Sequence, residues 1–302
     1  MALLQRLLTF TFQRSNSSSG APQTFASTGT NTVTVSGVRA SVKVLKAGSV
    51  TMGTVDALIY GLPPSLMNDL TTLGIKIRFT PRDAITIQAG DAVNGMSTVF
   101  AGNITNCYAD FEHQPEVPLH VIGHGGLPLG VISAQPTSIN GSGDVPTIMS
   151  GIANKMGYQF ENNGVSGKLN NPYFYGSLKD QAFACAKAGG FNCTLDDNTL
   201  AIWPSAGSRS NSGNTPTVSA DDGSMVGYPT YTAFGVIVRT LFNRDIKFGA
   251  QVQVQSSLQA ASGVYTIYGM DHDLDTLVPH GSWFSTLQCW AVKFAPAPPV
   301  PQ

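Results

Sequence analysis

The sequence predicts a mainly β fold with an α+β insert: two β-barrel or sandwich regions with a small α/β module between them. Three observations predict it. Apolar and polar residues alternate with period two through most of the chain, as in "NTVTVSGVRASVKVLKAGSVTMGTVDALIY" at 31–60, the mark of half-buried strands. The alternation gives way to helical spacing only over 144–204. Charged residues are 12% of the chain and aromatics 9%, with Gly, Ser, Thr, Asn and Gln standing where charge is missing. A disordered chain would show the reverse balance.

Residues 1–135 form the first β region. Leu8, Phe10 and Phe12 alternate with Thr9 and Thr11 as a buried strand, and no small-x-small site follows that would mark a signal peptide. Val33, Val35, Val42 and Val44 mark further strands, punctuated by Gly48 and Gly53. Pro63 and Pro64 open a short helix over 64–73: Leu66, Leu70 and Leu73 share a stripe, and Gly74 stops it. Strands resume at "IKIRFT", "AITIQAG", "STVFAGNITNCYADF" and "VPLHVIG".

In the 144–204 module, Asp144 caps a helix carrying Ile148, Ile152 and Met156. Ser177 caps a second helix that ends at Gly189–Gly190, and a hairpin turns at Asp197–Asn198. Residues 205–223 are polar and of low complexity, which predicts a mobile loop or linker. Strands return over 224–294. The segment "APAPPVPQ" at 295–302 cannot join a ladder and reads as an extended arm that reaches a neighbour.

The formal charge of −1 and the scattered Lys and Arg give no electrostatic footprint for nucleic acid. No apolar run is long enough to span a bilayer as a helix. The chain is expected to fold in a cytoplasm, with Cys107, Cys185, Cys193 and Cys289 as free, buried thiols.

The densest polar stretch is "GMDHDLDTLVPHGSWFSTLQCW" at 269–290. Asp271, Asp273 and Asp275 have calcium-loop spacing, but Thr276 and Ser282 stand where that loop needs Gly and an acid. His272 and His280 are too far apart for a helical zinc pair. Only a threefold axis gathering copies of either would make an ion site. A second tip, "DFEHQPEVP", carries Glu112, His113 and Glu116, two of the chain's three glutamates. A carboxylate pair is what glycoside hydrolysis needs; a polar hairpin tip needs no such chemistry. Trp283 and Trp290, near Tyr265 and Tyr268, make either a sugar platform or cross-strand packing. No G-x-S-x-G elbow or P-loop occurs. No catalytic residue, metal or cofactor is expected. His272 is expected to order its hairpin, with the aspartates solvated or meeting a neighbouring protein.

The two β regions share a weak pattern. "QAG", a gap and "VFAGNITNCYADFEHQPEVPLHVIG" parallel "KFG", a gap and "VYTIYGMDHDLDTLVPHGSWFSTLQCW". The order "FNRDIKFGAQVQVQSSL...GVYTIYGMDHDLDTLVPHGSWFSTLQCWAV" resembles the baseplate hub proteins of bacteriophage tails, relatives of the hub-like part of type VI secretion spike proteins. Tyr265, Ile267, His272, Trp283, Thr286 and Leu287 occupy that family's marked positions, and the 144–204 module resembles the domain between its barrels.

The resemblance implies two tube-like barrels per chain in a homotrimeric ring that joins the sixfold tail tube to the threefold spike. It implies a structural protein of the virion, assembled in the host cytoplasm. The partners it implies are tube or tube-initiator proteins on one face and the spike on the other, with tape-measure and baseplate wedge proteins beyond, and DNA only in passage. The candidate interface residues are Asp271, His272, Asp273, Asp275, Trp283, Glu112, His113, Glu116, Pro298 and Pro299. The competing reading is a carbohydrate-binding or peptidoglycan-hydrolysing tail-tip protein.

Overall fold

A computed structural model describes residues 5–16, 21, 23–48, 52–72, 83–112, 114–211 and 213–291. The expected strand at 75–80, the expected helix end at Leu73 and Gly74, His113 and the arm 295–302 with Pro298 and Pro299 lie outside them.

The first part of the chain forms β1 (Arg6–Gln13), β2 (Thr32–Ser36), β3 (Ala40–Lys46), β4 (Thr54–Ile59), helix α1 (Pro64–Leu70), β5 (Ala84–Asp91), β6 (Gly95–Ala109) and β7 (Leu119–His124). Strand periodicity sets the inward faces. Leu8, Phe10 and Phe12 of β1 are at most 2% exposed and pack with Val42, Val44, Ile85, Ile87, Phe100 and Val121. β1 pairs with β2 and β5 of its own chain, so the first residues complete this sheet. Leu66 and Leu70 turn α1 onto the same core, and Thr71 ends the helix in extended backbone, short of the expected 73.

The middle of the chain forms helix α2 (Leu127–Val131), β8 (Thr137–Ser138), β9 (Ser142–Asp144), helix α3 (Val145–Met156), β10 (Gln159–Asn162), β11 (Lys168–Asn170), β12 (Tyr173–Phe174), helix α4 (Leu178–Gly189), β13 (Phe191–Asp196) and β14 (Thr199–Pro204). The caps fall where the side-chain chemistry puts them. Asp144 accepts from the Thr147 amide, and Ser177 and Asp180 form a reciprocal capping box. Asp197 and Asn198 take positive φ at the β13–β14 turn, as a two-residue hairpin requires. Every residue from Leu200 to Trp203 is buried. Leu200 and Ile202 face the helices, while Ala201 and Trp203 face a different core.

That other core belongs to the last part: β15 (Thr217–Ser219), β16 (Thr230–Tyr231), β17 (Gly235–Leu241), β18 (Gln251–Gln255), β19 (Gly263–Thr276) and β20 (Trp283–Ala291). The stretch 205–223, expected as a mobile linker, instead carries β15 and the buried side chains of Arg209, Val218 and Ser219. Its few apolar residues find a core, and Arg209 finds carboxylates.

The expectation of two separate barrels needs correcting. Among the described residues no closed barrel forms. Both β regions share one sheet of 13 strands, with the order β16-β17-β20-β19-β3-β4-β7-β6-β5-β1-β2 and β15 joined through β18 to β19. The join is the β3–β19 ladder, Ala40↔Thr276 to Lys46↔Met270. It exists because β19, 14 residues long, outruns the second core. Tyr265, Ile267 and Met270 lie in the second core and Leu274 in the first. A β-bulge between Ile267 and Gly269 shifts the alternation by one residue at the crossing.

One order appears twice. β3-β4-β7-β6-β5-β1 in the first half matches β16-β17-β20-β19-β18-β15 in the second. In each, the long central strand (β6 or β19) is bulged and returns through a polar tip. The halves differ at the last strand: β1 meets β5 antiparallel, whereas β15 meets β18 parallel.

Candidate functional site

The β19–β20 arm holds most of the residues that the sequence singled out. After the bulge, Met270, His272, Leu274 and Thr276 point inward and Asp271, Asp273 and Asp275 outward. The aspartates therefore line one face of a strand, and the turn proper is formed by Leu277 and His280, both with positive φ. Asp275 accepts from the Ser282 amide at 2.7 Å. The Oδ1 atoms of Asp271 and Asp275 are buried without a hydrogen-bond partner, and burial raises the Asp271 pKa. Among the described residues no group of three or more His, Cys, Asp or Glu is placed to hold a metal.

His272 is 5% exposed and enclosed by its own chain, which removes it from any axis between copies. Its Nδ1 lies 2.8 Å from Ser285 Oγ on β20. Phe242 meets the ring edge-on at 5.5 Å and meets Trp283 at the same distance. Burial, then the nearby Lys46 charge, push the imidazole pKa down to about 3, so it is neutral. Trp283 is buried, Arg6 lies over its ring, and Arg6 also donates to the Gly281 carbonyl at 2.9 Å. Trp290 stacks on Tyr268 at 4.2 Å between centroids, which is cross-strand packing.

On the other tip, Glu116 pairs with Arg39, and Asp110 Oδ1 accepts from the Glu112 amide. Each tip lifts an apolar side chain into solvent: Phe111, 63% exposed, on one and Leu277, 55% exposed, on the other.

Sequence reasoning missed the ion cluster behind the arm. Lys46 ends the inward row Ala40, Val42, Val44 of β3, a position that alternation gives to an apolar residue. Its Nζ donates to Asp196 Oδ1 at 2.7 Å and also to Asp197. Arg209 reaches Asp196 from the other side at 2.8 Å and grips Glu161 of β10 through Nε and Nη2. The Ala101 amide of β6 donates to Asp197 Oδ1 at 3.1 Å. Two cations thus face three carboxylates where β3, β6, β10 and the β13–β14 tip meet, beside a cavity of about 190 Å³.

Asp197 is the less stabilised carboxylate of the adjacent pair Asp196–Asp197. Burial, with Asp196 adjacent, pushes its pKa up to about 6. Asp196 is buried too, but Lys46 and Arg209 hold it well below the carboxylate range. Burial opposes the Lys46 charge, but the two aspartates hold its pKa above the ordinary value. The four thiols are all buried, and burial pushes Cys107, Cys185 and Cys289 up to about 12, which keeps them as thiols. The one signal for the cluster in the sequence was a lysine at an inward position.

Residues 29–281 match the family described as Baseplate hub gp41. The chain belongs to that family. It is a structural component of the phage tail baseplate, and the virion is its place. No curated protein matches the hub chain by sequence. Among solved structures, it is similar to the 43 kDa tail protein of prophage MuSo2 from Shewanella oneidensis, with a TM-score of 0.62 and 9% identity over 98% of the hub and 99% of that chain. A tail protein from Neisseria meningitidis MC58 gives a TM-score of 0.61 and 11% identity over 96% and 98%. An E. coli type VI secretion component, described as similar to the T4 tail proteins gp27 and gp5, gives 0.55 and 13% over 86% and 76%. At these identities the likeness is one of fold.

Proposed function

We propose that three copies of this hub protein close into a ring that joins the sixfold tail tube to the threefold central spike. The observation that carries the reading is the doubled strand order. Three chains with two like halves present six like elements to a sixfold tube and keep threefold symmetry on the opposite side. The halves are two like runs of strands in one sheet, and the 144–204 module lies between them in the chain. The twin tips supply the contact surfaces, with Phe111 and Leu277 as apolar points among Glu112, Glu116 and the outward aspartates. Tube or tube-initiator proteins take one face and the spike the other, with tape-measure and wedge proteins as further neighbours. Basic residues number 17 against 18 acidic, so a lumen built from this chain would hold passing DNA only weakly. His272 orders the β19–β20 arm as a neutral hydrogen-bonding core residue. Carbohydrate binding or hydrolysis is less well supported, because Trp283 and Trp290 are both occupied in packing.

Light scattering on the purified chain, alone and with the spike protein, tests the ring. The expected mass is three times 31.8 kDa, and electron microscopy of whole tails should place three copies between tube and spike. A stable monomer that binds or cleaves peptidoglycan overturns the reading.

A further inference from the structure

The β6–β7 and β19–β20 tips lie at one end of the common sheet, and the registers fix this strand by strand. Thr276, at the tip end of β19, stands opposite Ala40 of β3. Ala40 stands opposite Ile59 of β4, Ile59 opposite Leu119 of β7, and Leu119 opposite Ala109 at the tip end of β6. One row across five strands thus joins the end of β19 to the end of β6. Every pairing on the way is antiparallel, and an even number of reversals leaves β6 and β19 running the same way. The second run of strands is therefore the first displaced sideways, without being turned end for end.

The tips are also built alike. The Asp110 amide donates to the Pro118 carbonyl at 2.9 Å, and the Asp275 amide to the Ser282 carbonyl at 2.7 Å. Each carboxylate then turns onto its own tip, Asp110 accepting from the Glu112 amide and Asp275 from the Ser282 amide. Neither tip, 110–118 or 275–282, contains a lysine or arginine. The carboxylates of Asp110, Glu112, Glu116 and Asp275 stand against Arg39 alone, which stacks on Tyr60 at 3.9 Å and pairs with Glu116.

We propose that both tips of every chain dock on one and the same partner, the sixfold tail tube, through a tube rim that presents lysine or arginine. In the threefold ring proposed above, on which this rests, three chains raise six like tips on one side. Six identical tube subunits can meet them one for one. A threefold spike would have to meet the two kinds of tip with two different surfaces, so the opposite end of the sheet is left to it.

Two variants test this, each making one tip more positive by the same two charges: Glu112→Gln/Glu116→Gln and Leu277→Lys/Val278→Lys. The full-length hub is mixed with assembled rings of the tube protein and, separately, with the spike protein, and light scattering gives the mass of each complex. Each variant should stay trimeric, bind the spike as the parent does and bind tube rings about tenfold more weakly. A trimeric variant of either tip that binds tube rings as tightly as the parent overturns the proposal and leaves the ring reading standing. Loss of spike binding with tube binding kept overturns it in favour of the spike, and loss of the trimer overturns it in favour of a contact between copies. A parent that stays monomeric alone and with both partners overturns the ring reading itself, and this proposal with it.

Discussion

Lys46 and Asp197 show how a few buried charges are kept at tolerable cost. A lysine on a core-facing strand position survives burial only because two aspartates meet it at the end of its reach. Lys46→Met leaves Asp196 with Arg209 and Asp197 with the Ala101 amide in place of a cation, and should destabilise the chain by about 3–5 kcal/mol in urea unfolding. Lys46→Met/Asp197→Asn should recover part of that loss.

The pH response follows from two opposed groups. Asp197, raised to about 6, takes a proton in the folded state before its unfolded counterpart does near 3.8, so on its own it adds stability as pH falls through 6. His272, lowered to about 3, refuses a proton that the unfolded imidazole accepts near 6.5, so it removes stability over the same descent. The parent should therefore be nearly flat between pH 6 and 5. Asp197→Asn should unmask the histidine and lose stability on acidification with a slope approaching about 1.4 kcal/mol per pH unit. Thermal melts across that interval check it, and profiles parallel in parent and variant would contradict it. At this scale the sequence was partly legible. Outward Asp271, Asp273 and Asp275 and inward His272 follow from strand alternation once the strand is recognised. The partners of Lys46 lie about 150 residues away in the chain, as Asp196 and Asp197 do, and no local pattern encodes such a meeting.

The elements whose geometry is local were the most readable. Asp144, Ser177 and the Asp197–Asn198 turn sit where their side-chain chemistry put them. Ser177→Ala breaks the capping box and should cost about 1 kcal/mol in thermal or urea unfolding. β19 was harder to read, because its bulge moves the inward set from Tyr265 and Ile267 to Met270, His272 and Leu274. A single period-two count cannot follow that change. Deleting Gly269 removes the extra residue, and plain alternation from Tyr265 and Ile267 then still carries Met270, His272 and Leu274 inward. The expected outcome is a cooperative melt by circular dichroism, and its loss would show that the bulge itself is needed for the crossing. β15 was hidden for a different reason: three residues of parallel strand inside a polar run give no periodic signal at all.

Across the whole molecule, three clusters of buried residues meet without a polar linker. β14 serves two of them with opposite faces, β19 serves two along its length, and the ion cluster stitches the module to β3 and β6. Calorimetry should give a single unfolding transition for the parent, and Lys46→Met should broaden or split it as the module uncouples. The sequence pointed to a mainly β fold with a few helices, which the structure has, yet not to the common sheet. Alternation says which face of a strand is buried and nothing about which strand lies beside it. The β3–β19 ladder joins residues more than 220 apart.

That ladder also decides how the protein answers a pull. Where separate lobes hang on a linker, tension opens the hinge first. Here the covalent backbone of one strand runs through both halves, and its flanking ladders oppose sliding along their whole length. Load applied at one half is resisted by many bonds strained in parallel, so the two halves should move as a single girder.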